Sequence, residues 1–216
     1  MTYAAKLAPP EPFSALIFDC DGTLADTMPT HYRAWSAALS ALGAEFKESQ
    51  FYAMGGMPTA TIIQALNDEY GYTLEVESTH HDKEQRYLTL LHQVTEIKAV
   101  ADIARAYHGK VPMAVASGGA RHVVEATLEA VGLTGLFDVI VTADDVVNGK
   151  PDPEVFLKAA ERLGVAPADC IIYEDGEVGL EAARVAGIRA IDVRVLWDGH
   201  PSEESQRIAL ERLSGA

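Results

Sequence analysis

Short apolar runs alternate with segments whose apolar residues recur every three or four positions over most of the second half of this chain. Residues 99–107 read as a helix, 112–116 as a short buried strand and 120–131 as a helix. The run 137–141 is a further strand, and a helix follows Lys150-Pro151-Asp152-Pro153 through Leu163. Residues 170–173 make another strand, leading into a helix to Ala186 that Gly187 ends, and 190–193 a last strand. The run 13–18 is of the same kind and opens the series. Continuous apolar strands separated by helices predict a parallel sheet with helices on both faces, an α/β fold of the doubly wound, Rossmann-like type.

Between the first strand and the second the pattern is purely helical. Thr27 and Pro29 mark a helix start, and His31, Tyr32, Trp35, Ala38, Leu39 and Leu42 follow at helical spacing up to Gly43. Helical spacing continues through Ile62, Ile63 and Leu66 and again through Tyr87, Leu88 and Leu91, broken at Gly55-Gly56-Met57-Pro58 and Gly71-Tyr72. This block is too long for a simple crossover, so 28–97 is expected to be an inserted helical cap. Its hinges fall at 26–29 and 95–100, and the catalytic core comprises 13–27 and 98–216. Residues 1–12 read as a frayed lead-in, and 202–216 as a tail with an amphipathic helix carrying Ile208, Leu210 and Leu213.

Composition narrows the function classes. With 216 residues, 48% of them apolar and 23% charged, the chain can fold around a full core. A formal charge of −15 argues against nucleic acid or an anionic membrane surface as a partner, but not against a small anion met by a local cation. No apolar run approaches the roughly 18 residues of a membrane span, and the first residues lack a signal-peptide core, so a cytoplasmic location is expected. A monomer or weak homodimer is expected as well. Cys20 and Cys170 sit at the ends of apolar runs and read as reduced, buried thiols, whereas His80, His81 and His92 read as solvated helix surface.

The chemistry-bearing residues cluster at strand ends. Asp19 and Asp21 follow the first strand, Ser117 and Gly118 the second, Lys150 lies on the connection after the third, and Glu174 and Asp175 follow the fourth. Each has an ordinary structural reading when taken alone. Asp-x-Asp-Gly suits a strand-to-turn junction, Ser117 a helix cap, Lys150 a solvated loop, and Glu174-Asp175 the start of a helix. In a doubly wound sheet, however, these positions converge at the carboxyl edge, where ligands bind. Adjacent carboxylates there need a divalent cation or a retained proton. Such a set suits phosphoryl transfer, with Asp19 attacking phosphorus and Lys150 and Ser117 quenching the charge of the transferred group. Asp21 would serve as general acid and base.

The string Asp19-Cys20-Asp21-Gly22-Thr23-Leu24-Ala25-Asp26 after a buried strand resembles the first signature of the haloacid dehalogenase superfamily, most of whose members are magnesium-dependent aspartate-nucleophile phosphatases. With Ser117, Lys150 and the pair Glu174 and Asp175, the chain is similar to the helical-cap, beta-phosphoglucomutase-like branch over roughly 13–196. The resemblance implies Asp19 as nucleophile and Asp21 as acid and base, with phosphate held by Asp19, Ser117, Gly118 and Lys150. It implies a Mg2+ ion bound by Asp19, Asp21 through its carbonyl, Glu174 and Asp175. Thr27 and 31–35 are similar to the hinge and first cap helix, and His31, Gly55, Gly56 and Thr59 are the expected cap contacts to a small phosphorylated substrate. Gly176 departs from the family, which often has Ser there.

Two cations that mutases of this branch use are absent. The cap reads Gly55-Gly56-Met57-Pro58-Thr59-Ala60 without an arginine, and the position after Ser117-Gly118-Gly119 is Ala120, although Arg121 stands next to it. Hydrolysis is therefore expected over mutation. Residues 30–35, 107–115 and 191–194 are similar to bacterial fructose-1-phosphate phosphatase-like members, which implies sugar phosphates as substrates. The competing readings are a beta-phosphoglucomutase-type mutase, a haloacid dehalogenase, which has no need of Asp21, and a receiver-like phospho-acceptor module that would bind partners without turnover.

Overall fold

Along strand β1 (Ala15–Phe18) the side chains of Leu16 and Phe18 enter one apolar cluster while Ala15 and Ile17 enter another, and all four are fully buried. That is the pattern of a central strand covered on both faces, and it explains the unbroken apolar run. The computed structural model describes residues 7–196. Around β1 stand β4 (Met113–Ala116), β5 (Val139–Val141), β6 (Cys170–Glu174) and β7 (Arg189–Asp192), in the order β5-β4-β1-β6-β7 with every neighbouring pair parallel. Helices α5 (Lys98–Tyr107) and α6 (Arg121–Ala130) share a cluster with Leu16, Phe18, Val115 and Tyr173. Helices α7 (Glu154–Leu163) and α8 (Glu177–Ala186) share the opposite one with Ile17, Ala116, Val141 and Ile172. The α/β, doubly wound parallel sheet expected from the sequence is the fold.

The chain divides into two units. One comprises residues up to Thr27 and Val94–Leu196, and the other Met28–Gln93. The second is helical, with α1 (Met28–Ala41), α2 (Glu48–Ala53), α3 (Thr59–Tyr70) and α4 (Val76–Thr89) around Trp35, Leu39, Phe46, Phe51, Ile63 and Leu66. Within it His31 stacks on Tyr87 with ring centroids 3.9 Å apart. The Lys83 ammonium, nearly buried, lies 5.7 Å from the centre of the Trp35 ring and 5.9 Å from that of Tyr87. His80 pairs with Glu84 one helical turn on, at 3.0 Å, while His81 and His92 are exposed.

Two features differ from the sequence expectation. The chain leaves and re-enters the sheet unit through a two-stranded antiparallel ribbon, β2 (Ala25–Asp26) and β3 (Thr95–Glu96). Two-residue strands are too short to leave a periodic signal. The lead-in is also anchored from Leu7 onward rather than frayed. Leu7 is fully buried in the α5–α6 cluster, and its carbonyl accepts the Tyr173 hydroxyl at 2.9 Å. Arg189 donates to the carbonyls of Pro10 and Pro12, so the donor-poor proline segment finds its partners on the sheet. The helix expected over Ile208, Leu210 and Leu213 lies outside the described residues.

Candidate active site

Parallel register brings the acidic and basic residues of distant segments into one row. Phe18 pairs with Val115 on one side and Tyr173 on the other, so Asp19, Ser117 and Glu174 all emerge within a residue or two of the same edge. Backbone bonds hold them there: Asp19 N donates to Tyr173 O at 3.0 Å, and Ser117 N to Val141 O at 3.0 Å. Beyond Asp19 the chain turns back at Gly22, whose φ of +83° belongs to the left-handed region and whose amide donates to Ala25 O. A Cβ on Gly22 would lie 2.1 Å from Asp175 Oδ2, so the bare backbone is what lets Asp175 approach the Asp19 loop.

Lys150 closes the row from the α7 side. Its ammonium donates to Asp19 Oδ1 at 2.6 Å and Glu174 Oε2 at 2.7 Å, and sits 4.8 Å from the centre of the Phe156 ring. All three charged side chains are at most 8% exposed, which makes this a buried charge cluster and not a surface bridge. Glu174 Oε1 accepts the amides of Asp175 and Gly176, and Thr23 Oγ1 donates to Asp175 Oδ1 at 2.9 Å. Asp21 is half-buried beside them. A methyl group placed on Gly119 would lie 3.5 Å from Ser117 Oγ and 3.7 Å from Asp21 Oδ2, so both side chains border one small space. Ser117 Oγ accepts the Gly119 amide at 3.1 Å.

The electrostatics of the cluster are those of too many carboxylates for one ammonium. Burial first, and then Glu174, push Asp19 up to about 7 despite the pull of Lys150. Burial, Glu174 and Asp19 drive Asp175 well above the ordinary carboxylate range, against the hydrogen bond from Thr23. For Lys150 burial works against the charge, but Asp19 and Glu174 outweigh it and hold the ammonium above its usual value. One carboxylate oxygen from each of Asp19, Glu174 and Asp175 lies within 4.8 Å of the other two. A buried, all-oxygen donor set with surplus negative charge fits a hard divalent cation. Burial, followed by Asp21 and Asp19, raises the Cys20 thiol, so it stays neutral between them.

The sheet unit thus brings together Asp19, Asp21, Ser117, Lys150, Glu174 and Asp175, with Gly118 exposed beside Ser117. His31, Gly55, Gly56 and Thr59 belong to the helical unit. There His31 is buried in α1, Gly55 and Gly56 form the exposed turn before α3, and Thr59 is its first residue. Arg121 is committed elsewhere: it donates to Asp145 Oδ2 at 2.5 Å and Ile140 O at 3.2 Å, and meets Glu125 at 3.3 Å. Sequence reasoning passed over Thr23, Phe156 and Gly179. A Cβ on Gly179 would stand 2.1 Å from Glu174 Cδ and Oε2. A glycine in the first turn of the helix that follows the acidic pair was the available signal.

A parallel sheet that gathers paired acids, a bridging lysine and a serine at its carboxyl edge places them where ligands bind in open α/β sheets. Residues 13–187 match the haloacid dehalogenase-like hydrolase family, and the chain belongs to it. Among its relatives, the fructose-1-phosphate phosphatase YqaB of Escherichia coli is 38% identical over 76% of this chain and 88% of its own length. The beta-phosphoglucomutase of Bacillus subtilis is 30% identical over 74% of each chain. The crystal structure of CbbY from Rhodobacter sphaeroides with phosphate superposes with a TM-score of 0.76 at 28% identity, covering 83% of this chain and 85% of that one. The chain is a phosphoric monoester hydrolase of this family, beta-phosphoglucomutase-like in its relations. Among the described residues no helix is long and apolar enough to cross a membrane.

Proposed function

We propose that the protein is a magnesium-dependent phosphatase of small sugar phosphates, with fructose 1-phosphate the first substrate to test, acting through an aspartyl phosphate on Asp19. The observation that carries this reading is the Lys150 bridge between Asp19 and Glu174 at the carboxyl edge, in a family whose relatives include a fructose-1-phosphate phosphatase and a Thermotoga maritima phosphorylated carbohydrates phosphatase.

In this reading the Asp19 carboxylate attacks phosphorus and the ester oxygen leaves as an alcohol with a proton from Asp21. A water then loses its proton to Asp21 and attacks the aspartyl phosphate, returning Asp19 and releasing inorganic phosphate. Lys150 and the Ser117 hydroxyl hold the phosphoryl oxygens, and Thr23 orients Asp175. Asp19, the Asp21 carbonyl and Asp175 would hold Mg2+, which supplies charge neutralisation for the approach of two anions. Glu174 acts chiefly as the bracket of Lys150 and the α8 amides, since both its oxygens already accept hydrogen bonds.

Hydrolysis is favoured over mutation because Ala120 offers no cation and Arg121 is held by Asp145. Membership in the hydrolase family sets the receiver-like reading aside. The test is phosphate release from fructose 1-phosphate, other sugar phosphates and phosphoglycolate, with Mg2+ or with chelator and with Asp19→Asn as blank. Release that needs Mg2+ and Asp19 is expected. Glucose 6-phosphate formed from beta-glucose 1-phosphate without phosphate release would establish the mutase instead, and release undiminished by chelator would remove the metal from the scheme.

A further inference from the structure

The residues just before Lys150 on its loop are held by hydrogen bonds to one carboxylate rather than by packing. Val147, Asn148 and Gly149 are all exposed, Val147 at 90%, so no side chain among them is anchored in the core. Glu154, the first residue of α7, reaches back over the loop. Its Oε1 and Oε2 accept the Val147 amide at 3.1 and 3.0 Å, and Oε2 the Asn148 amide at 2.9 Å. The return of the chain is fixed by Asp152 N donating to Gly149 O at 3.0 Å and by Asp152 Oδ1 accepting the Glu154 amide at 3.0 Å. Two residues further on in α7, Phe156 presents its buried ring to the Lys150 ammonium. One helical turn therefore controls both ends of the lysine, its backbone through Glu154 and its charged tip through Phe156.

We infer that Glu154 is a positioning residue for catalysis: it clamps the 147–148 amides so that Lys150 meets Asp19 and the transferring phosphoryl group in one fixed place. The amides of Asn148 and Val147 hold its carboxyl below the usual glutamate range, so the clamp is ionised throughout the neutral region. Displacements on the order of 1 Å in a charge-neutralising group cost on the order of 100-fold in rate. Loss of the clamp is accordingly expected to act on kcat more than on KM or on folding.

The inference rests on Lys150 acting as proposed above, so Lys150→Met is measured beside Glu154→Ala and Glu154→Gln, with kcat, KM and melting temperature for each in the presence of Mg2+ and fructose 1-phosphate, or the best substrate of the panel. Glu154→Ala should lose kcat by about 10- to 100-fold with KM within about threefold of wild type. Glu154→Gln retains one acceptor oxygen and should recover most of that loss. Melting temperatures of both variants should stay close to wild type, because the side chain is not part of the core. Glu154→Ala at wild-type kcat, or Glu154→Gln as impaired as Glu154→Ala, would overturn the clamp, as would a loss that tracks the melting temperature. An active Lys150→Met would remove the premise instead, and so separates failure of the proposed chemistry from failure of the clamp.

Discussion

Glu174 lies directly against Gly179, in the first turn of α8, with no room between them for a methyl group: a Cβ on Gly179 would stand 2.1 Å from both Cδ and Oε2 of the acid. Glu174 cannot simply swing aside, because its oxygens are bonded to the Asp175 and Gly176 amides and to Lys150. Glycine in a helix costs about 1 kcal/mol relative to alanine, so the position carries a local penalty for a close approach.

Gly179→Ala should therefore destabilise, although alanine is the better helix former. Forced displacement of Glu174 is expected to cost about 1–3 kcal/mol as overpacking and to loosen Lys150. A lower melting temperature with a kcat loss of at least tenfold is the expected result. A more stable variant with full activity would show that Glu174 can leave its place freely.

Lys150→Met leaves the Asp19 and Glu174 carboxylates buried without their shared cation. Activity should fall by roughly 100-fold or more, the scale set by removing one electrostatic stabiliser of the transition state. Stability should fall as well, by up to ~3–5 kcal/mol as for a broken buried pair, and by less where Asp19 takes up a proton. Lys150→Arg should recover little, since a planar fork does not replace a compact ammonium between two close oxygens. Steady-state kinetics and thermal melts of the two variants check this.

The row of strand-end residues was legible because parallel strands place chemistry at one edge whatever the sequence distance, and Asp19, Ser117, Lys150 and Glu174 follow four apolar runs of similar length. The β2–β3 ribbon was not legible, since two residues per strand carry no period. Leu7 was missed for another reason: a lone apolar residue beside Pro9 and Pro10 looks like tail until Tyr173 and Arg189 are seen bonding the carbonyls around it. Buried Lys83 likewise gave no sign, because a lysine in a polar helical stretch reads as exposed until Trp35 and Tyr87 are found beneath it. Local pattern shows what a segment can form, whereas these contacts depend on partners brought together only by the fold.

Arg121→Ala tests whether the neighbour of Ala120 serves the reaction. Its bonds to Asp145 and Ile140 place it in a brace shared with Arg162, which meets Asp145 at 2.9 Å. The pair is partly exposed, so its loss should cost at most about 1 kcal/mol. Phosphatase activity should stay within about twofold of wild type, and no glucose 6-phosphate should form from beta-glucose 1-phosphate with or without bisphosphate. Loss of turnover without a change in melting temperature would place Arg121 in the substrate site.

The crowded carboxylates give the metal-free protein an unusual pH response. Asp19 is raised from 3.8 to about 7 in the folded chain, so between those values the folded state holds a proton that the unfolded state has lost. Stability contributed by this group is present at and below pH 4, declines as pH rises between about 4 and 7, and is gone above it. Asp175 shifts in the same direction. Thermal melts in chelator should therefore show a lower midpoint at pH 8 than at pH 6 from this cluster. Asp19→Asn should flatten that slope and melt higher than wild type at pH 8, while remaining inactive. Mg2+ needs the deprotonated carboxylates, so its stabilisation should grow from pH 6 to pH 8 and reverse the slope. A wild-type protein whose midpoint rises with pH in chelator, in parallel with Asp19→Asn, would show that the cluster is not strained when empty of metal.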